Sequence, residues 1–554
     1  MTIVRPFAIA LAALAAALAP VAQADTLIEN IQGISVDRDG KVTRFTAMWI
    51  DDDGRVKQLL DRKDKRPKRT DFAVDGNGAY VIPGLIDSHL HMMGLGFAQL
   101  TIDLSDTKSL AEAQAKIRAY AAKHPDRRWI VGGGWNQVNW GLGRFPTAAE
   151  LDAAVPDRPV LLERVDGHAV WANSAAMAAA GITAKTANPA GGRIERVAGG
   201  KTPAGVFVDR ATALFDAVVP APRPEDRDLA LAKAQELLLS KGVTAAADMG
   251  TRIEDWQSFR RAGDLGWLRM RIMSYASGID AMALIGGPGP TPWLYKDKLR
   301  LNGVKLYLDG ALGSRGAWLK QPYADDAGNT GLPLMTGAQL RNMMSRAALD
   351  KFQVAVHSIG DAANAEVLDA IAEMTDTYKG DRRWRIEHAQ IVSPSDIARF
   401  GKYGIVASMQ PTHQTSDRIM AEARLGPDRL AGAYAWRSIA AAGGHLAFGS
   451  DAPVEAPDAF AGIAAAISRT DADGQPFGGW MPQEAITREA ALAAYTSGGA
   501  WAGFAEGRFG ELKPGEWADF VIVDRDPLMA SPADIRATKV QETWVGGERV
   551  YSAK

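Results

Sequence analysis

The chain has 554 residues, of which 47% are hydrophobic, and its formal net charge is −2. This length exceeds what one hydrophobic core usually organises, so we expect a large domain with a smaller companion. The charge provides no basic field for nucleic acid, and the absence of cysteine excludes disulfides, thiolate zinc sites and iron–sulfur clusters. Any metal must therefore bind His, Asp, Glu or an unusual ligand.

The first residues predict an export signal. Residues 1–24 contain one early charge, Arg5, then an apolar segment from Phe7 to Ala19, then Ala22-Gln23-Ala24 before Asp25. This pattern is typical of a secretory signal peptide cleaved after Ala24, and its apolar segment is short for a membrane span. We expect a periplasmic or secreted protein with no stable membrane anchor after cleavage. An uncleaved anchor is the alternative.

The two ends of the chain have the same sequence pattern, which predicts short strands separated by turns. Asp39-Gly40 and Asp53-Gly54 are favourable hairpin turns, and the C-terminal residues are short apolar runs between Gly and Pro. We expect residues 25–80 and 505–554 to pair into one small composite β-sandwich. Residues 81–504 then form the main domain.

The middle of the chain alternates apolar strands with helical segments, as parallel α/β folds do. Eight strands are predicted, in the segments YVIPGLIDSHLH, GVTAAADMG, RMRIMSYAS, NGVKLYLDG, FQVAVHSIGD, WRIEHAQ, GIVASMQP and HLAFGSDAP. Eight strand-and-helix units predict a (β/α)8 TIM barrel. The stretch from Met92 to Lys241 is too long for one crossover helix, so we expect an inserted lid subdomain over about residues 92–241.

Five of these strand segments carry a side chain that can bind metal. These residues are His89 and His91, Lys305, His357, His388 and Asp451. Active sites of such barrels lie at the carboxyl ends of the strands, so we expect these side chains to meet there. His89 and His91 leave the same face of a strand, with backbones roughly 6.6 Å apart, and both imidazoles can reach one ion. An exposed pair of strand histidines is the alternative.

Lys305 lies between Val304 and Leu306 in an apolar strand, where a charged amine is costly unless it is neutral or paired. One interpretation is an outward-pointing lysine whose amine reaches solvent. The other is a neutral amine that has reacted with carbon dioxide, giving a carbamate whose oxygens bridge two metal ions. The histidines and the aspartate on the other strand ends favour the bridge.

The remaining three side chains complete the predicted centre. His357 and His388 would hold a second ion, although each could be a core histidine with satisfied hydrogen bonds. Asp451 would bind the first ion and accept the proton of a bound water. Its alternative role is a cap or turn residue ahead of Pro453.

Taken together, these stretches resemble one known family. The matching segments are VIPGLIDSHLH, VKLYLDGALGSRGAWL, HSIGDAAN, RIEHAQ, QPTH, GSDAPVE and LKPGEWADFVIVD, in that order between about Ala79 and Asp524. On these segments the chain resembles the amidohydrolase family 3 branch of the metal-dependent amidohydrolase superfamily, which includes the YtcJ-like and N-substituted formamide deformylase-like proteins.

The resemblance implies a binuclear site, usually of zinc. It assigns His89, His91 and Asp451 to the first ion, His357 and His388 to the second, and carboxylated Lys305 to the bridge. It also implies hydrolysis of a non-peptide C–N bond, typically an amide. General chemistry agrees, because a bound metal lowers the pKa of water to about 7 and polarises a carbonyl.

Other residues are candidates for substrate contact. His413, after SMQP, could contact substrate or stabilise an oxyanion, and Arg315, in GSRGAW, could bind an anionic group. In the insertion, His168 could touch substrate or fix the insertion through Asp166. Trp135 could line an aromatic pocket or belong to the core of the insertion.

Three functional readings remain at this point. The leading one is an exported metal-dependent amidohydrolase acting on a small-molecule amide, with a homodimer as one possible assembly. The second keeps the fold and the metals but acts on a dipeptide, a lactone or a cyclic amide, because fold and metals do not choose the substrate. The third is a non-catalytic periplasmic binding protein, which predicts loss of Asp451 or Lys305, and both are present.

Overall fold

The computed structural model describes residues 25–553, so the predicted signal peptide of residues 1–24 lies outside the described residues. In chain order the strands are β1 Thr26–Glu29, β2 Gln32–Val36, β3 Val42–Phe45, β4 Ala47–Ile50, β5 Val56–Leu60, β6 Phe72–Asp75, β7 Tyr80–Pro83, β8 Leu85–Leu90, β9 Ile102–Asp103, β10 Ile130–Trp135, β11 Val160–Arg164, β12 Ala169–Ala172, β13 Gly192–Arg196, β14 Pro203–Asp209, β15 Val243–Thr251, β16 Arg271–Ser277, β17 Leu299–Tyr307, β18 Gln353–Ser358, β19 Arg385–His388, β20 Val406–Met409, β21 His445–Phe448, β22 Phe520–Val523, β23 Val540–Val545 and β24 Glu548–Ser552.

The α-helices lie between and after these strands. In chain order they are α1 Met92–Ala98, α2 Leu110–Lys123, α3 Ala148–Asp152, α4 Ser174–Ala179, α5 Pro224–Ser240, α6 Ile253–Asp264, α7 Gly278–Gly286, α8 Gly337–Leu349, α9 Asp361–Thr377, α10 Ala398–Lys402, α11 Pro411–Leu425, α12 Trp436–Ala441, α13 Ala459–Ser468, α14 Arg488–Ala494, α15 Ser497–Ala502 and α16 Pro532–Arg536. Within residues 25–553, no helix has the length and apolar character that a membrane crossing requires.

The main domain is built on one eight-stranded sheet with the order β8-β15-β16-β17-β18-β19-β20-β21. Each hydrogen-bonded neighbour is parallel. The strands are apolar and buried on both faces, because helices cover the outside and side chains fill the inside. The predicted (β/α)8 barrel is confirmed.

A seam joins the first and last barrel strands. The Asp451 N–H donates to the His89 carbonyl at 2.7 Å, and the His91 N–H donates to the Ala452 carbonyl at 2.9 Å. The backbones approach so closely that a Cβ on Gly449 would lie 2.5 Å from the backbone nitrogen of His89. These contacts bring the sheet close to a complete cylinder.

The predicted insertion forms a sheet of its own, in the order β9-β10-β11-β12-β14-β13. A separate apolar core lies beneath it and includes Ile130, Leu162 and Val206. The chain between the first two barrel strands therefore has a sheet and an apolar core apart from those of the barrel.

The chain ends form two further sheets, with the orders β5-β4-β1-β6 and β24-β23-β22-β7-β2-β3. Residues from both ends share one core, in which Phe45 and Val81 pack with Phe520. The segment predicted as one first strand is divided at Gly84. Up to Pro83 the chain pairs with β22, and from Leu85 it enters the barrel as β8.

A buried ion pair connects the barrel to the terminal sheet. Arg271, on β16, donates from Nε to Asp519 Oδ2 at 2.5 Å and from Nη2 to Oδ1 at 2.8 Å. The Asp519 side chain also accepts the Gly546 N–H at 2.7 Å. Both charged side chains are almost completely buried, at 1% and 2% exposure. Removal of either partner would leave the other charge buried and uncompensated.

We expect Asp519→Ala to lower the free energy of unfolding by about 3–5 kcal/mol, because Arg271 is left without its counter-charge. The double variant Arg271→Met/Asp519→Leu should lower the free energy of unfolding by less than Asp519→Ala does. The control is Lys233→Ala, which breaks an exposed pair with Glu236 at 2.8 Å and should cost less than about 1 kcal/mol. Urea unfolding followed by tryptophan fluorescence measures all three. If all three variants lose equally little free energy of unfolding, the Arg271–Asp519 pair does not hold the barrel and the terminal sheet together.

Candidate metal centre

The barrel brings the predicted metal ligands to one place. His89 lies on β8, Lys305 on β17, His357 on β18 and His388 at the end of β19. The other members, His91, Asp451 and His413, follow β8, β21 and β20 respectively. We call these seven residues the metal cluster. Because the strands are parallel, their carboxyl ends meet at one rim, which is why residues far apart in sequence converge.

The first group of ligand atoms surrounds Asp451. Its Oδ1 lies 3.4 Å from His89 Nε2 and 3.2 Å from His91 Nε2. The His89 side chain is fully buried, whereas the side chain of His91 is 32% exposed. These three residues are close enough to bind a single metal ion. That His89, His91 and Asp451 bind one ion stays a prediction, made on three residues that lie close together.

A second group shares the same carboxylate. Asp451 Oδ2 lies 3.9 Å from His413 Nε2, and the trio of His388, His413 and Asp451 could also hold an ion. The sequence assigned His413 to substrate contact. His357 is adjacent, with its ring 4.6 Å from that of His388. The structure therefore places both His357 and His413 beside His388.

Burial sets the charge states of the cluster. It lowers the pKa of His89, His357 and His388 well below the ordinary histidine value, so these imidazoles are neutral. Burial would raise the pKa of Asp451, but His89, His91 and His413 bring it below its ordinary value, and the carboxylate stays ionised. Neutral imidazole and ionised carboxylate are the forms that bind metal.

Lys305 is buried inside this cluster. Its Nζ lies 3.3 Å from His89 Nε2 and 4.6 Å from the centre of the Tyr307 ring. Burial lowers the pKa of Lys305 to about 8, against the opposing effect of Glu387 and Asp451. Among the described residues, no carboxylate oxygen lies within ion-pairing distance of its amine.

Unpartnered ligand atoms show that this residue set fits a metal. His357 Nε2, His413 Nε2 and Asp451 Oδ1 are buried without a hydrogen-bond partner in the described part of the chain. His357 Nε2 is 3.7 Å from Asp309 Oδ1, which is too long for a hydrogen bond. Buried polar atoms are almost always bonded. Three such atoms in one cluster are therefore consistent with cation binding.

Two supporting residues were missed by the sequence reasoning. His89 donates from Nδ1 to Glu387 Oε2 at 2.6 Å, and Glu387 is itself held by Arg385 at 2.7 Å. His388 donates from Nδ1 to Gln410 Oε1 at 2.9 Å. These bonds leave the other ring nitrogen of each histidine available as a ligand. The signal was present, because Glu387 and Gln410 lie inside the quoted segments RIEHAQ and QPTH.

The insertion reaches the cluster through His168. Its ring lies 5.0 Å from that of His357, and its Nδ1 donates to Asp209 Oδ1 at 2.8 Å. Asp166 instead accepts the backbone N–H of His168 at 3.1 Å. Burial would lower the pKa of His168, but Asp209 and the neighbouring carboxylates raise it to about 8. Asp209 was not predicted, since it lies on another strand of the insertion.

Two other predicted contacts lie elsewhere. Arg315 forms an ion pair with Asp325 at 2.9 Å. Trp135 is fully buried in the core of the insertion, where its Nε1 donates to the Leu162 carbonyl at 2.8 Å. Neither side chain contacts the metal cluster among the contacts of residues 25–553.

Fold and site together define a barrel protein with a candidate metal centre at the carboxyl ends of its strands. The sequence profile described as the Amidohydrolase family matches residues 73–551. The chain belongs to this family of metal-dependent amidohydrolases, which confirms the resemblance inferred from the motifs.

Several known proteins are similar in sequence to this chain along most of its length. Protein LONG AFTER FAR-RED 3 of Arabidopsis thaliana is 35% identical, over 86% of this chain and 83% of its own length. The putative amidohydrolase YtcJ of Bacillus subtilis (strain 168) is 31% identical, over 92% of this chain and 96% of its own length. The N-substituted formamide deformylase of Arthrobacter pascens is 27% identical, over 86% of this chain and 89% of its own length.

Among solved structures, an uncharacterized metal-dependent hydrolase from Pyrococcus horikoshii OT3 superposes with a TM-score of 0.73 at 26% identity. The match covers 92% of this chain and 99% of that one. Shared architecture therefore extends beyond the barrel to nearly the whole chain.

We expect Gln410→Met to weaken metal binding about 10- to 100-fold, because His388 loses the acceptor that orients its ring. The matched control is Gln414→Met, four residues on in α11, since Gln414 is fully buried and both of its amide atoms lack partners in the described residues. Competition with a chromogenic chelator for Zn²⁺ measures both affinities, and circular dichroism checks folding. Parent-like affinity in Gln410→Met, or an equal loss in Gln414→Met, would show that this hydrogen bond does not tune the centre.

Proposed function

We propose that the protein is an exported hydrolase that cleaves a non-peptide C–N bond of a small-molecule amide at a centre of two divalent ions, with zinc as the expected metal. The observation that carries this proposal is the convergence of neutral imidazoles on one ionised carboxylate, with unpartnered ligand atoms among them. Similarity to an N-substituted formamide deformylase supports an amide substrate.

The ligand assignment follows the positions of the side chains. His89, His91 and Asp451 would hold one ion, since their ligand atoms already lie around Asp451 Oδ1. His388 and His357 would hold the other. His413, at 3.9 Å from Asp451 Oδ2, would contact the substrate beside that second ion.

Lys305 would join the two ions as a carbamate. Addition of carbon dioxide to its neutral Nζ forms one N–C bond and releases one proton, so the amine becomes an anion with two oxygens. Support comes from the buried position of the amine and from the absence of a carboxylate partner among the described residues. A buried amine without a counter-charge is unfavourable, and this modification removes its positive charge.

The chain's own residues would carry the proton during hydrolysis. When bound, divalent ions lower the pKa of water and polarise an amide carbonyl as Lewis acids. The Asp451 carboxylate would accept a proton from the attacking water and deliver it to the amide nitrogen as the C–N bond breaks. The products are a carboxylic acid and an amine. His168, fixed by Asp209, would contact the substrate from the insertion side.

The export proposal is supported by the sequence of the first residues. Residues 1–24 combine an early arginine, an apolar segment and small residues before Asp25. The proposed location is the periplasm or the exterior of the cell, so the substrate would be met outside the cytoplasm.

We expect Asp451→Asn to retain metal but to lose turnover by roughly 10²- to 10⁴-fold, because an amide cannot carry the proton. Turnover is measured as amine released from a panel of N-substituted formamides and other N-acyl amines, and metal by elemental analysis. The control is Glu455→Gln, four residues on. The Glu455 carboxylate accepts a hydrogen bond from the Ser416 hydroxyl at 2.5 Å. Its replacement removes an acidic group near Asp451, and most turnover should persist. If Asp451→Asn works at the parent rate, Asp451 is not the proton carrier.

A further inference from the structure

A basic cavity lies at the opposite end of the barrel from the metal cluster. It has a volume of about 290 Å³ and opens where β17, β18 and β19 begin. Its walls include Arg300, Asn302, Lys351, Lys379, Arg382 and Phe504. It is thus remote from the carboxyl-end site and independent of the hydrolase proposed there.

The positive charges around this cavity are poorly compensated. In residues 25–553, Arg300, Lys351 and Arg382 have no carboxylate oxygen within ion-pairing distance. Lys379 has only a loose, exposed contact with Asp376, at 3.8 Å. The acidic wall residue, Asp381, is already paired with Arg383 at 2.8 Å. The chain therefore concentrates cations here although its net charge is −2.

Arg300 is the most constrained of these cations. Its Nε donates to the Thr291 carbonyl at 3.2 Å, and its Nη1 approaches the Phe504 carbonyl at 3.5 Å. A guanidinium has five N–H donors, so most of its hydrogen-bonding capacity is unused. Burial lowers the pKa of Arg300, which reflects the cost of keeping this charge away from water. A partly buried cation with unused donors in a cavity wall is suited to an anion.

Asn302 adds a second, independent feature. It is only 3% exposed, and its Nδ2 donates to the Gly503 carbonyl at 2.6 Å. Its Oδ1 is buried without a partner among the described residues, and Asn302 is one of the residues that line the cavity. This oxygen can only accept a hydrogen bond. A complementary ligand therefore carries an O–H donor as well as anionic oxygens.

We propose that this cavity is a binding site for a small anion that also bears a hydroxyl group, either a hydroxycarboxylate or a protonated phosphate. The anionic oxygens bind Arg300 and the rim cations Lys351 and Arg382. The hydroxyl donates to Asn302 Oδ1. Phe504 provides an apolar wall beside these polar contacts.

Calorimetric titration of the purified full chain tests this site with three probes in about 0.1 M salt, which screens loose surface attraction. L-malate and inorganic phosphate supply both features, whereas succinate lacks only the hydroxyl of malate. We expect one site per chain for malate or phosphate, and weaker binding of succinate than of malate. Tighter binding of malate than of phosphate assigns the site to hydroxycarboxylates, and the reverse order assigns it to phosphates.

Variants locate the binding. Arg300→Gln should weaken it at least about tenfold, because charge-assisted hydrogen bonds are lost. The double variant Lys351→Gln/Arg382→Gln, at the rim of the cavity, should also weaken anion binding. It provides the test if Arg300→Gln fails to fold. Lys185→Gln, an exposed change in the insertion, and His91→Ala, in the metal cluster, should leave the affinity unchanged.

Two results would overturn the proposal. One is the absence of saturable binding for both malate and phosphate. The other is binding that survives both basic-cavity variants or disappears in His91→Ala, which would place the anion at the metal centre. Neither result bears on amide hydrolysis, so this inference and the proposed function fail separately.

Discussion

The hydrogen bond from the Asp451 N–H to the His89 carbonyl, at 2.7 Å, is the contact on which both the barrel and its site depend. It links the chain after the last strand to the first strand, and so brings the ends of the sheet together. It also fixes two predicted ligands next to each other through their backbones. Because the same seam closes the fold and sets the spacing of the ligand atoms, stability and site geometry cannot vary independently here.

The cost of assembling this centre is visible in the backbone and in the burial of polar groups. Asp451 and His388 both adopt left-handed backbone conformations, with φ of 60° and 75°. Non-glycine residues in this region are strained, typically by about 1–3 kcal/mol. Unpartnered nitrogen and oxygen atoms add to that cost. Such features persist where the surrounding structure enforces them, and binding of a cation would offset them.

Much of the fold could be predicted because its determinants are local. Apolar runs marked the barrel strands, and the position of a polar side chain at the end of each run marked His357, His388 and Asp451. The division of the first predicted strand at Gly84 could not be read from the sequence, because it depends on pairing between β7 and β22, more than 400 residues apart along the chain. The pairing of His168 with Asp209 is likewise a tertiary contact. Arg315 and Trp135 have suitable chemistry for a site, but an ion pair with Asp325 holds the first elsewhere and the core of the insertion holds the second.

Whether Lys305 bridges two ions can be decided by counting the metal ions bound per chain. Elemental analysis gives this number after reconstitution with and without carbon dioxide, for the parent and Lys305→Met. We expect about two divalent ions in the parent, lower occupancy without carbon dioxide, and a sharp loss in the variant whether or not carbon dioxide is supplied. One ion or none in the parent, unchanged by carbon dioxide or by the substitution, would contradict a centre bridged by Lys305.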